Sequence, residues 1–194
     1  MSQNDKQIIR ELAKKYMEIA TSEKQQRSNQ RMLATNDLKI VRPPVTIEEI
    51  PWYQMNIDDE LTCICEDERA RGVEEMLRRS IYRWNHFKSD SFFEPFFRVT
   101  KAFDSTGLGL EAEETILRTD DLNSIISHSY ADLLEDEEAF EQMHVAEYTA
   151  RPDKDEEAMN YYTDLLGDSM PVRLCGQPYV YFMQWDQIAR LRVL

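Results

Sequence analysis

Residues 66–99 read EDERARGVEEMLRRSIYRWNHFKSDSFFEPFFRV, and this stretch decides the fold class. Val73, Met76, Leu77, Ile81 and Trp84 recur at helical spacing and predict a helix over 66–87. Arg78, Arg79 and Arg83 lie on its other flank. Glu74 and Glu75 sit four residues before Arg78 and Arg79, a spacing that supports a helix by a few tenths of a kcal/mol per pair (about 0.2–0.5). After Phe87 the period changes to two. Phe92, Phe93, Phe96, Phe97, Val99 and Phe103 predict a strand over 91–99, interrupted at Pro95, and proline places such a strand at an edge or a bulge. A helix followed directly by a strand of this kind argues for an α+β chain.

Upstream, Ile8, Ile9, Leu12, Tyr16, Ile19 and Ala20 form one narrow apolar stripe, predicting a long helix over 3–35. Beyond Ala20 the pattern is wholly polar (TSEKQQRSNQR), so that half is expected to be exposed, frayed, or packed only through Met32 and Leu33. Arg42-Pro43-Pro44-Val45 ends the helix. Val45-Thr46-Ile47 is read as a short strand, Ile50-Pro51-Trp52 as a second break, and Asn56 or Asp58 as the cap of a helical turn reaching Cys63. Downstream, 112–118 and 124–130 alternate and predict two strands joined by a turn at TDDLN. With 91–99 they suggest a small, mainly antiparallel sheet. Helices are expected at 135–144 and 153–166, the second stopped by Gly167. A strand is expected at 171–174 and a helix at 185–193.

Composition limits the function classes. The chain has 194 residues, 42% hydrophobic and 31% charged, the balance of a folded globular protein. Five glycines are few, and neither G-x-G-x-x-G nor G-x-x-x-x-G-K occurs, which argues against phosphate loops of those kinds. No apolar run approaches the ~20 residues of a membrane span. The polar N-terminus shows no signal-peptide core, and a cytoplasmic location with reduced thiols is expected. The net charge of −14 is unevenly spread: residues 1–42 carry net +4 and residues 104–168 net −16. The acidic stretch repels nucleic-acid phosphates, so neither nucleic acid nor membrane is an expected partner. Its ordinary role is a solvated face; a docking face for a basic partner is the other reading.

Few residues point to chemistry. Cys63, Cys65 and Cys175 do not form the paired units that structural zinc requires, and no metal site is expected within the chain. His86 closes an aromatic-rich helix, where core packing or C-terminal capping is its ordinary role. His128 lies between two serines in a strand, and alternating strand neighbours cannot form a relay. Glu94 stands among four phenylalanines, where an unpaired buried carboxylate would have a raised pKa and an outward-facing one would not. Arg42, stiffened by two prolines, suits an anion clamp or an ordinary surface ion pair. No catalytic pair has the required spacing. Arg42, His86, Glu94 and His128 remain as candidate substrate-binding residues.

Three stretches taken together, RPPVTIEEIPWYQMNIDDEL (42–61), ARGVEEMLRRSIYRWNHFKSDSFFEPFF (70–97) and ETILRTDDLNSIISHSYADLLEDEEAFEQM (114–143), resemble the N-terminal part of the uroporphyrinogen decarboxylase superfamily. The branch resembled is the decarboxylase-like group associated with corrinoid-dependent methyltransferases, and the likeness spans residues 40–192. It implies a TIM barrel with N-terminal additions, typically about 250 residues. True decarboxylases carry R-x-P-V-W-x-M-R-Q-A-G-R-Y. Arg42, Pro44 and Val45 match its start, but Thr46 replaces the tryptophan, Glu49 falls where an arginine belongs, and no A-G-R follows. An acidic residue there would repel a polycarboxylated porphyrinogen, so the resemblance favours the methyltransferase-like branch. In a complete homologue that branch implies zinc held by His and Cys of later strands, and a corrinoid partner. This chain is expected to hold residues 1–40 as a helical extension and 41–194 as the N-terminal portion of such a domain. It would be incomplete as a catalyst alone and would associate with itself or with a complementary C-terminal barrel half. The alternative is a non-catalytic interaction or oligomerisation module using the N-terminal helix and the acidic face.

Overall fold

A pair of hydroxyl side chains cuts the N-terminal helix in two. The computed structural model describes residues 2–39, 42–117, 127–134, 137–177 and 184–192. In chain order its elements are α1 (Gln3–Ala20), α2 (Glu23–Asn36), α3 (Trp52–Met55), α4 (Glu68–His86), β1 (Phe97–Thr100), β2 (Phe103–Ser105), β3 (Glu114–Leu117), β4 (Ser127–Tyr130), α5 (Glu137–Glu141), β5 (Tyr148–Ala150), α6 (Pro152–Leu166), a 3-10 turn (Gly167–Ser169), β6 (Val172–Cys175) and α7 (Gln184–Leu191). The single helix expected over 3–35 is therefore α1 and α2. Thr21 closes α1, its hydroxyl donating to the Met17 carbonyl at 2.7 Å. Ser22 opens α2: its Oγ accepts the Gln25 amide at 3.2 Å and donates to the Ile19 carbonyl at 2.8 Å. Side chains that hydrogen-bond nearby backbone compete with the helical ladder, which is why the break falls there.

The chain divides into two compact units: Met1–Val99 with Glu156–Leu174, and Thr100–Asp155 with Cys175–Leu194. The first unit owns a core. The α1 stripe (Ile9, Ala13, Tyr16, Ile19, Ala20) packs with Ala70, Val73 and Leu77 of α4, and Leu165, Leu166 and Met170 close the cluster. Phe93 meets Tyr16 and Trp84 edge-on at centroid distances of 5.9 and 6.0 Å. The stripe expected to seek a partner is thus occupied by α4. Both helices of this pair are capped through buried or half-buried aspartates. Asp5, 1% exposed, completes a capping box with Ser2 and also accepts the Glu66 and Asp67 amides at 3.2 and 3.4 Å. Asp67 caps α4 through the Ala70 amide at 3.0 Å and accepts the Tyr161 hydroxyl.

The strand expected over 91–99 is confined to β1, which pairs with β6 rather than with the strands expected at 112–118 and 124–130. Phe93 leaves the alternation to enter the core while Phe92 is exposed, so burial of one ring, not a ladder, explains the aromatic spacing. Residues 45–47 form no strand; Val45 instead exchanges bonds with Asp90. The helical turn expected through Cys63 is reduced to a single hydrogen-bonded turn, the Thr62 amide donating to the Asp59 carbonyl at 3.1 Å, and Asn56 Oδ1 accepts the Leu61 amide at 3.0 Å.

In the second unit β2 pairs antiparallel with β5 (Phe103↔Ala150, Ser105↔Tyr148), and β3 pairs antiparallel with β4 (Glu114↔Tyr130, Leu117↔Ser127). The small sheet is therefore three separate two-stranded ladders, two of them in this unit. The two expected strands pair antiparallel over the described residues, while 118–126, which include the TDDLN turn and the ends of both expected strands, and 135–136 lie outside the described residues. Gly167 stops α6 at φ +52°, as expected of a left-handed terminator. Among the described residues no helix is long and apolar enough to cross a membrane. The mixed α+β class holds; the barrel part implied by the resemblance is not seen as such.

Candidate functional site

Asp90 organises a strongly charged cavity of the first unit. It follows α4 on a short loop and is only 6% exposed. Its carboxylate accepts Arg42 Nη1 at 2.8 Å and Nη2 at 3.1 Å, a charge-assisted fork, and also accepts Arg31 Nη1 and the Val45 amide at 3.0 Å. Its own amide donates to the Val45 carbonyl at 2.7 Å. The Arg42 fork, the Val45 amide and the charge of Arg31 together hold the Asp90 carboxyl below the ordinary carboxylate range, against the opposing effect of burial. One buried anion thus fixes two guanidinium groups that reach it from separate segments.

These groups wall an open groove of about 830 Å³ formed by α2, the end of α4 and the 42–45 and 88–90 segments. Lys24 Nζ lies 4.1 Å from the centroid of the Trp84 ring, a cation–π contact. Arg27 pairs with Glu23 one turn away at 3.1 Å, both exposed. Neither Lys24 nor Lys88 has a carboxylate partner among the described residues. In a chain of net charge −14, five cations line this groove against two carboxylates, Glu23 and Asp90. A cleft of one sign concentrates small ions of the other.

The other candidates fall elsewhere. Glu94 lines a second, largely aromatic cavity of about 520 Å³ with Tyr16, Met76, Phe96, Phe97 and Tyr162. It is half-buried but paired: Arg98 Nε donates to it at 3.0 Å and Nη2 gives a second bond. Burial, then the charge of Glu94, pushes the Tyr16 phenol up to about 12, so that phenol stays protonated at neutral pH. His86 ends α4 with Nε2 3.0 and 3.2 Å from the two Glu60 oxygens and its ring on Tyr82 at 4.1 Å. His128, in the second unit, faces Glu114 across the hairpin, Nδ1 to Oε2 at 3.0 Å, and stacks on Tyr130. Within the first unit Arg42, His86 and Glu94 therefore stand apart from one another, and of these only Arg42 lines the cationic groove; His128 belongs to the second unit.

No group of three or more His, Cys, Asp or Glu is placed to hold a metal ion among the described residues. The cysteines are poor ligands as they stand: burial and then the Glu74 carboxylate push Cys63 up, and burial with a Glu74 hydrogen bond pushes Cys65 up to about 12.

Sequence reasoning missed Asp90, Arg31, Gln25, Ser28 and Lys88. The first signal was available: Lys24, Ser28 and Arg31 are one helical face at i, i+4, i+7. Being polar, that face gives no hydrophobic periodicity to read. The chain matches no family model, no curated protein and no solved structure.

Proposed function

We propose that this chain supplies the substrate-anion site of a uroporphyrinogen decarboxylase-like protein of the corrinoid-methyltransferase type and does not complete the chemistry alone. The observation that carries the binding half is Asp90, buried and holding Arg31 and Arg42 in place as walls of a cationic groove. The resemblance of residues 42–143 carries the family half, and Arg42 belongs to both. Arg42 is half exposed and its guanidinium has donors beyond the two given to Asp90, so it presents both charge and hydrogen bonds to an oxyanion. Asp90 acts as a positioning residue, preventing the two cations from swinging apart.

Zinc, which the resemblance implies for a complete homologue, does not fit the described cysteines and histidines. The Cys63 and Cys65 thiols are held protonated, His86 is turned to Glu60 and His128 to Glu114.

Calorimetry of the purified chain with succinate or inorganic phosphate at low salt tests the reading. Binding is expected, and Arg42→Ala should weaken it about tenfold, the worth of one charge-assisted bond. Absence of binding overturns the anion site; turnover of methyl donors or porphyrinogens by the chain alone overturns the incompleteness.

The second reading, a non-catalytic interaction module, finds support in the second unit, where Phe103, Leu117, Val145, Tyr148 and Trp185 are all more than half exposed. The α1 stripe no longer serves it. Sedimentation over a range of concentrations tests this reading, and a strict monomer counts against self-association.

A further inference from the structure

The cations of the groove account for its sign but not for two of its buried polar atoms. Gln25 is 1% exposed and Ser28 8% exposed, both line the groove, and Gln25 Oε1 and Ser28 Oγ have no hydrogen-bond partner among the described residues. Buried polar atoms are nearly always satisfied, so these two call for a partner. The orientation of Gln25 is fixed by its other end: Nε2 donates to Asn29 Oδ1 at 2.7 Å and to the Ser91 carbonyl at 2.9 Å. Exchanging the amide oxygen and nitrogen would set Oε1 against the Ser91 carbonyl, which can only accept. Oε1 is thus held as an acceptor in the wall of the cationic groove, and only a donor can satisfy it. The Ser28 hydroxyl can donate or accept.

An oxyanion without hydrogens would satisfy Arg42, Lys24, Lys88 and the Ser28 hydroxyl but would oppose Gln25 Oε1. We propose that the groove takes an oxyanion carrying its own O–H donor next to the charge, either a phosphate group that keeps a proton or a carboxylate flanked by a hydroxyl. This rests on the anion-binding reading above and adds its selectivity: Arg42 and the lysines attract the charge, while Gln25 selects the donor. A site built around a hydrogen-bonding group rejects analogues lacking the matching group far more strongly than an apolar pocket rejects a missing methylene. Because this groove is open, the expected discrimination is modest.

Calorimetric titration of the full chain at low, matched ionic strength tests the proposal with two pairs of probes. Inorganic phosphate retains an O–H at neutral pH and sulfate does not; malate carries a hydroxyl beside its carboxylate and succinate does not. We expect a preference of at least about tenfold within one pair, and which pair shows it assigns the donor to phosphate or to hydroxy acid. Gln25→Met should bring that ratio to about one, weakening the member that carries the O–H and strengthening sulfate or succinate; Ser28→Ala should weaken both members of a pair alike. If neither member of either pair binds, the anion-binding reading fails and this inference with it. If all four bind without preference, the anion site stands and the donor selectivity is overturned. Should Gln25→Met fail to fold, the wild-type ratios decide alone: ratios of one or below in both pairs overturn the proposal.

Discussion

Among the described residues, the first unit buries fifteen apolar side chains and the second buries two, Leu134 and Leu191. Charge follows the same division. The first unit holds seventeen Lys and Arg against twenty-one Asp and Glu, net −4; the second holds six against sixteen, net −10. The second unit therefore lacks apolar burial and carries more self-repulsion per residue. Its two ladders are two-stranded, three of their four strands are exposed throughout, and an isolated two-stranded ladder is marginal in water. The difference shows where order originates: in the first unit from side chains leaving water, in the second from backbone ladders and ion pairs. The Asp90 carboxylate that fixes the Arg42 guanidinium accordingly sits on the unit with the core.

The largest effect expected from this contrast is on core truncation. Leu77 is fully buried in α4, and Leu77→Ala should cost about 2–5 kcal/mol in urea unfolding. Ile116→Ala, at a 45% exposed position of β3, should stay within about 0.5 kcal/mol. Equal losses would erase the contrast.

Acid should act next in size. Asp5, Asp67 and Asp90 of the first unit are all held below the ordinary carboxylate range. For Asp5 burial acts the other way, but the amides of Glu66, Ser2 and Asp67 prevail; for Asp67 the Tyr161 hydroxyl leads, and for Asp90 the Arg42 fork. The folded state then binds fewer protons than the unfolded chain. The stability these groups contribute is complete above the unfolded-state value near pH 4 and drains as pH falls toward their lowered values. Urea midpoints for the first unit should be level from about pH 7 to 5 and decline below about pH 4. A midpoint level down to about pH 3 would break the assignment.

In the second unit an exposed ion-pair network takes the place of a core. Arg151 reaches Asp104 at 2.7 Å and Asp153 at 2.9 and 2.7 Å, and those two carboxylates are lowered chiefly by it, Asp153 to about 2. Its amide also donates to the Ala102 carbonyl at 2.9 Å, extending the β2–β5 ladder. Arg151→Ala removes a cation from a strongly acidic unit, and hydrogen exchange of the β2 and β5 amides should quicken while that of α1 and α4 stays put. Arg151→Lys should restore part of the protection. Uniform quickening across both units would contradict the confinement of this network to the second unit.

How much was legible follows from the same physics. α4 was readable because its apolar positions keep the helical period and Asp67 supplies a cap one residue ahead. The β3–β4 hairpin was readable from alternation alone. The Thr21–Ser22 break was hidden because hydroxyl residues are tolerated inside helices and become caps only when the second helix turns away. The phenylalanines at 92–97 misled because Phe93 is buried by a tertiary contact with Tyr16 and Trp84, which imitates strand periodicity. Arg42 was visible through its prolines. Asp90, Gln25 and Ser28 were not, because burial of polar groups depends on which segments meet, and polar periodicity carries no such signal.

The smallest expected effect concerns two glycines, one in each unit. Gly72 lies inside α4, and a Cβ built on it meets nothing within 4 Å. Glycine within a helix costs roughly 0.5–1 kcal/mol relative to alanine through its extra conformational freedom. Gly72→Ala should therefore stabilise the first unit by up to about 1 kcal/mol in urea unfolding, with no side chain needing to move. Gly109 in the second unit is the opposite case. Its φ is +89°, and a Cβ there would come within 2.5 Å of the Gln142 carbonyl oxygen and 2.9 Å of the His144 ring. Gly109→Ala should destabilise, since backbone cannot yield as a flexible side-chain tip can, and since the unit has little apolar burial to absorb the loss. The same substitution is thus expected to change sign between the units. A stabilising Gly109→Ala would mean that the 107–109 turn does not hold against 142–144 in solution, and a destabilising Gly72→Ala would mean that the α4 surface at that point is covered rather than open.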